Sequence, residues 1–178
     1  MSVTGMDKVE SVEQPSQHRT VDRHWLSEFV YGVITAMVVI AALVQEREDT
    51  WWQAFLIIVA GSAAVWIAHS YSEIISERLV VRRRLVGSDF AKAMRQSWPI
   101  VTAGAIVAVP TLFPAIGLTS VETSLTACNV VGIIILALVG YLAGMVTKEK
   151  QSYRFFLAAA SAGVGVIVVA IEFIVHHL

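Results

Sequence analysis

Residues 51–84 read WWQAFLIIVAGSAAVWIAHSYSEIISERLVVRRR, an apolar run that gives way to His, Glu and Arg. No Asp, Glu, Lys or Arg occurs between Thr50 and Ser72. A helix rises about 1.5 Å per residue, so a run of this length crosses a hydrocarbon core about 30 Å thick. The tandem Trp51 and Trp52 is typical of a membrane interface. The stretch therefore predicts a transmembrane helix that continues out of the membrane at its polar end.

The rest of the chain repeats the apolar pattern. Hydrophobic residues make up 56% of its 178 residues, charged residues 15%, and the mean hydropathy is +0.68, which is outside the range of soluble proteins. Four more charge-free runs cover 29–45, 96–121, 123–147 and 155–171. We therefore expect an all-α polytopic membrane protein with five transmembrane helices, at about 25–45, 51–72, 98–118, 123–146 and 154–175. Residues 1–22 predict a flexible polar tail, without the apolar core of a signal peptide, ahead of a transmembrane domain at 23–178.

The positive charges predict the orientation of the helices. Of the 13 Lys and Arg, 12 fall on one side of the predicted spans and only Arg47 on the other. Basic loops are retained in the cytoplasm, so we expect the N-terminus inside, the C-terminus outside, and a multi-pass protein of the cytoplasmic membrane. Topology and anionic lipid account for these charges, which makes the lipid bilayer the expected partner and leaves no sign of nucleic-acid binding. The 12 are Lys8, Arg19, Arg23, Arg78, Arg82, Arg83, Arg84, Lys92, Arg95, Lys148, Lys150 and Arg154.

Four residues near the cytoplasmic ends of the first two spans form the candidate ion or proton path. Glu28 and Tyr31 are three apart and share a helix face, while His69 and Glu73 are four apart on the next helix. Ionisable residues within membrane spans commonly mark ion or proton paths. Carboxylates could take a divalent cation or a proton, and histidines change protonation between about pH 5 and 8.

An interpretation of the same residues without any role in ion or proton movement also stays open. Glu28 would be a carboxylate in the first turn of its helix, favoured by the helix dipole and in reach of headgroup water. Glu73 would pair with Arg78 or with lipid headgroups on a solvated helix end. The spacing of these residues is equally common on solvated helices.

Other features predict structure more than chemistry. Pro110 and Pro114 remove backbone donors from the third span, which predicts a kink or a broken outer end. Gly140 and Gly144 form a small-xxx-small pair in the fourth span, which predicts close helix packing.

The outer side carries a second group of acidic and His residues. Glu172 and His176 of the last span could face Glu46, Glu48 and Asp49 of the first outer loop. Interfacial solvation is the interpretation we favour for this group.

Catalytic signatures are missing from the sequence. It has no Gly-rich phosphate loop and no nucleophile elbow, and its single cysteine, Cys128, lies within the fourth span. We therefore expect neither enzymatic activity nor a cofactor.

Three segments carry a resemblance to a known family. They are SEFVYGVITAM at 27–37, AGSAAVWIAHSYSEIISER at 60–78 and VPTLFPAIG at 109–117. Together they resemble segments of the vacuolar iron transporter family, and the likeness covers about residues 23–178. The resemblance implies a five-span transporter fold, a homodimer and a divalent cation as cargo.

This chain departs from the family pattern at the ligands. The family Asp of the first span falls on Tyr31, the family Glu of the second falls on Ser70, and the second span has no Met. The longer metal-collecting insert between the second and third spans is replaced by a short basic connection. The departures imply either a transporter with displaced ligands, at Glu28, His69 and Glu73, or a non-transporting scaffold or partner subunit that kept the fold.

Overall fold

The computed structural model describes residues 18–46, 50–81 and 87–176. Within these ranges the structure is all-helical, with no strand. Five helical stretches are long and apolar enough to cross a membrane, at His24–Val44, Trp51–Glu77, Gly87–Ile116, Val121–Val146 and Gln151–Ile171. The predicted fold class and the five candidate spans are thus confirmed, while the orientation of the termini stays a prediction.

The helices follow one another through short connections. They are α1 (His18–Glu46), α2 (Trp51–Val81), α3 (Gly87–Gln96), α4 (Pro99–Val107), a 3₁₀ segment (Val109–Ile116), α5 (Val121–Val146) and α6 (Gln151–His176). The continuation of the second span beyond its apolar run is confirmed, because α2 reaches Val81. Residues 1–17 of the predicted tail lie outside the described residues, and residues 18–22 belong to α1.

The third span is broken, as its prolines predict. The α-helical part ends at Val107 and a 3₁₀ segment carrying Pro110 and Pro114 replaces it. Proline has no backbone N–H to donate, so the α-helical hydrogen bonding cannot continue through these positions. The segment closes on Gly117, whose φ of 73° is the left-handed conformation that glycine adopts at low cost.

The first helix lies at the centre of the bundle. It packs against α2, α4, α5 and α6. Its buried face is fully apolar over about two turns and forms the centre of the hydrophobic core. This face consists of Val33, Ala36, Met37 and Ile40, each 0% exposed.

Glycines allow two of the helix contacts to be unusually close. A Cβ added at Gly32 of α1 would lie 2.6 Å from the carbonyl oxygen of Ile100 in α4. A Cβ at Gly140 of α5 would lie 2.6 Å from the carbonyl oxygen of Leu157 in α6. The predicted packing role of the Gly140 face is confirmed. Because α6 of the same chain covers this face, it does not provide a surface for a homodimer.

Helix α3 was not predicted, because the connection between the second and third spans was interpreted as short and basic. It is amphipathic, with Ala93 buried against the bundle. The indole N–H of Trp66 in α2 donates to the carbonyl oxygen of Met94 at 2.9 Å. The ring of Trp98, at the start of α4, meets Trp66 edge-on with centroids 5.2 Å apart. Helix α3 is therefore held against the end of α2 that carries Glu73.

Candidate functional site

The site begins with a buried carboxylate on α1. Glu28 is only 4% exposed and lies well inside a helix that begins at His18. The interpretation of Glu28 as a first-turn carboxylate in contact with headgroup water is therefore wrong. It failed because α1 starts earlier than its apolar run and α2 covers the side chain. His69 of α2 places Nε2 3.0 Å from Glu28 Oε1, the distance of a good hydrogen bond.

The second oxygen of the same carboxylate is unpaired. Glu28 Oε2 is buried and has no hydrogen-bond partner among the described residues. A buried oxygen without a partner costs free energy, and in native structures such an atom calls for an explanation. Glu28 Oε2 is thus an atom at which a proton or a bound water molecule would be stabilised.

A histidine that was not predicted joins the group. His24 lies one turn before Glu28 on α1 and is 39% exposed. Its Nδ1 is 3.7 Å from Glu28 Oε1, and its Nε2 is 3.5 Å from Glu73 Oε1. The spacing of four between His24 and Glu28 is a signal that the sequence carries. It was missed because His24 precedes the charge-free run that marks the first span.

Glu73 connects the group to an open cleft. Its Oε2 accepts a long hydrogen bond of 3.4 Å from the Ser97 hydroxyl, between α3 and α4. The cleft has a volume of about 70 Å³ and lies between α2 and α3. Glu73 therefore belongs both to the cleft and to the histidine–carboxylate group. The cleft is lined by Glu73, Glu77, Asp89, Lys92, Ala93 and Gln96.

Tyr31 lies at the edge of the group. Its ring centroid is 5.6 Å from that of His69, at an angle of 38°, and the side chain is 48% exposed. The structure thus joins both Tyr31 and Glu28 to His69, and it links Glu73 to Glu28 through His24. We call His24, Glu28, His69 and Glu73 the inner cluster.

The inner cluster is arranged as a chain of paired groups. No group of three or more His, Cys, Asp or Glu in the described part of the chain is placed to hold a metal ion. The chain runs from His69 to Glu28, then to His24, and ends at Glu73 beside the cleft. Alternating imidazoles and carboxylates can transfer a proton from one group to the next, because each group can both accept and release a proton.

The predicted outer group is not described. Residues 47–49 and the side chains of Glu46, Glu172 and His176 lie outside the described residues. The side chain of Arg78, the alternative partner of Glu73, lies outside them as well. These interpretations stay predictions.

Comparison of the chain with protein-family models, with curated proteins and with solved structures found no match. The functional argument accordingly rests on the geometry of the inner cluster. The resemblance to the vacuolar iron transporter family stays a prediction from the sequence.

Proposed function

We propose that this integral membrane protein is a proton-coupled transporter in which Glu28 and His69 bind and release the proton. One observation carries the proposal. A carboxylate that is 4% exposed, on a membrane-spanning helix, is bonded to a histidine at 3.0 Å and keeps its other oxygen unpaired. Ionisable groups inside a membrane protein are costly to keep, and they usually mark paths for ions or protons.

The proton fits this geometry better than a directly bound metal ion. A divalent cation that has lost its water needs several oxygen, nitrogen or sulfur ligands at once. Glu28 Oε1 and His69 Nε2 already face each other, and the described residues offer no set of three ligands. The family resemblance implies a divalent cation as the cargo. We propose that proton movement drives the transport of this cation.

The orientation and the assembly are part of the same proposal. The distribution of Lys and Arg supports a cytoplasmic location for the cleft end of α2 and the cell membrane as the location of the protein. The family resemblance suggests a homodimer. Its interface would use a surface other than the Gly140 face, which α6 covers.

A non-transporting scaffold or partner subunit is the second candidate. It is favoured by the way the bond between His69 and Glu28 joins α2 to α1, as a purely structural contact would. In some proteins a buried polar or ionic pair serves to fix one arrangement of the fold. The two candidates differ in whether protons move.

The test is proton movement into proteoliposomes, followed with an enclosed pH-sensitive dye under an imposed potential. We expect flux with the wild type and the level of empty vesicles with Glu28→Gln. Glu122→Gln, which changes an exposed carboxylate at the other end of the bundle, is the matched control and should conduct like the wild type. Wild-type vesicles no more permeable than empty ones, with or without a divalent cation, would sink the transporter proposal in favour of the scaffold.

The same vesicles test the cargo. Fe²⁺, Mn²⁺ and Zn²⁺ are supplied in turn on one side, and both metal uptake and internal pH are recorded. Coupled transport predicts that metal entry and proton exit stop together in Glu28→Gln. Proton movement that no metal changes would remove the divalent cation from the proposal and leave the proton.

A further inference from the structure

His24 is the one member of the inner cluster that touches both carboxylates. Its two ring nitrogens face different partners, Nδ1 toward Glu28 at 3.7 Å and Nε2 toward Glu73 at 3.5 Å. Those partners differ in access to water. The Glu28 side chain is 5% exposed, whereas the Glu73 side chain is 29% exposed and lines the cleft. The imidazole of His24 therefore lies between a partly solvent-exposed carboxylate, Glu73, and a buried one, Glu28.

We infer that His24 is a proton relay that connects the cleft carboxylate Glu73 to the buried carboxylate Glu28. This inference rests on the proposed function and names the route by which its proton arrives. In the inward step, the O–H bond of the Glu73 carboxylic acid breaks and an N–H bond forms at Nε2. The Nδ1–H bond then breaks and an O–H bond forms on Glu28. One proton has moved and the imidazole is left as its Nε2–H tautomer. Water that reaches the 39% exposed ring removes the Nε2 proton and supplies one to Nδ1, which restores the starting tautomer.

The distances suit a shuttle rather than a fixed bond. Both contacts of His24 exceed the 2.7–3.2 Å of ordinary N–H···O bonds, so the ring must close by a few tenths of an ångström for each transfer. A side chain that is 39% exposed has room for such movement. His69 differs, because it already holds Glu28 at 3.0 Å. We therefore assign the delivery of the proton to His24, while His69 shares the delivered proton with Glu28 through their hydrogen bond.

The charged surroundings of the relay come from three helices. On α1 and α2 the groups that face it directly are Glu28 and Glu73. The cleft beyond Glu73 adds two further carboxylates and one amine. These cleft groups are Glu77, Asp89 and Lys92.

The test measures proton arrival at Glu28 without relying on transport. The detergent-solubilised protein is subjected to a rapid pH drop, and the carboxyl infrared band that Glu28→Gln removes is followed in time. We expect His24→Ala to slow the appearance of this band by about tenfold or more. Imidazole should restore the rate in His24→Ala by occupying the vacated space. A buffer of similar acidity that is too bulky to enter should not.

Each outcome decides a separate question. A wild-type rate in His24→Ala, with the band still lost in Glu28→Gln, overturns the relay and leaves the proposed function standing. Slowing that imidazole does not relieve, in a variant that stays folded, also overturns the relay, because it shows a structural role. If no band depends on Glu28 at any pH at which the protein is folded, Glu28 takes up no proton, and the relay and the proposed function both fail.

Vesicle flux supplies a second arm. His24→Ala should reduce proton flux, and His24→Gln should reduce it equally, because an amide keeps hydrogen bonding but cannot carry a proton. Full flux in His24→Gln would contradict the relay even if His24→Ala were inactive.

Discussion

The contact of α1 with α4 provides a sharp test of how the bundle holds the inner cluster. A Cβ added at Gly32 would lie 2.6 Å from the carbonyl oxygen and 2.7 Å from the Cα of Ile100. Both atoms belong to the backbone of another helix, so no side-chain rotation relieves the overlap and the two helices must separate. Gly163 of α6 is the matched control, since a Cβ added there meets nothing within 4 Å.

The comparison of Gly32→Ala with Gly163→Ala isolates the packing effect. Both positions lie inside helices, so the gain of about 1 kcal/mol in helix propensity cancels between them. Overpacking costs about 1–3 kcal/mol, and the upper end applies here because backbone meets backbone. At about 2–4 °C per kcal/mol for a chain of this length, a cost of about 3 kcal/mol means that Gly32→Ala should melt about 6–12 °C below Gly163→Ala.

The protein carries its own probe for this measurement. Cys128 is the single cysteine and is 0% exposed, so a thiol-reactive fluorogenic dye in detergent reports unfolding directly. Gly163→Ala should match the wild type or exceed it slightly. Equal melting temperatures for the two variants would show that α1 and α4 are not in close contact, and would remove the basis for the placement of Glu28.

Substitutions at three further positions, each compared with a control variant, test the site and the helix ends with the same dye assay. His69→Leu removes the 3.0 Å hydrogen bond of the buried Glu28 carboxylate, whose remaining contact is His24 at 3.7 Å, and should cost about 1–3 kcal/mol. Adding Glu28→Gln should recover most of that loss, and failure to recover it would argue against the pairing. Gly117→Ala should cost about 1 kcal/mol through its positive φ, while Gly87→Ala, which also meets open space, should cost nothing. Ser120→Ala should cost about 1 kcal/mol by removing the cap of α5, and Ser120→Asp should not.

The sequence predicts those parts of the fold that depend on local chemistry. Charge-free apolar runs long enough to cross a bilayer identify the five candidate spans, because several runs of this length in one chain are typical of membrane proteins. The break at Pro110 follows from its missing N–H, and the packing at Gly140 follows from its missing side chain. None of these features requires knowledge of which helix lies beside which.

The parts that were missed depend on tertiary contacts or on short segments. Helix α3 is short and charged, so its sequence resembles that of a basic loop. Its apolar side can be recognised as a packing face only once its contact with α2 is known. The burial of Glu28 depends on the neighbouring helix and on the start of α1 at His18. That start lies ahead of the apolar run, so the run does not predict it. The role of His24 needs Glu73 from another helix, which spacing along one chain segment does not reveal.

The inner cluster and the close helix contacts are two consequences of one arrangement. Glu28 and Gly32 are one turn apart on α1, so the face that carries the carboxylate is the face that α4 approaches. On α2, Ser62 meets Gly104 of α4, and His69 follows on the same stripe two turns later. Helix α4 therefore sets the position of both helices that carry the pair. A hydrogen bond of 3.0 Å between Glu28 and His69 is a consequence of that packing, so a small separation of α4 from either helix would release the carboxylate without changing a single charged residue.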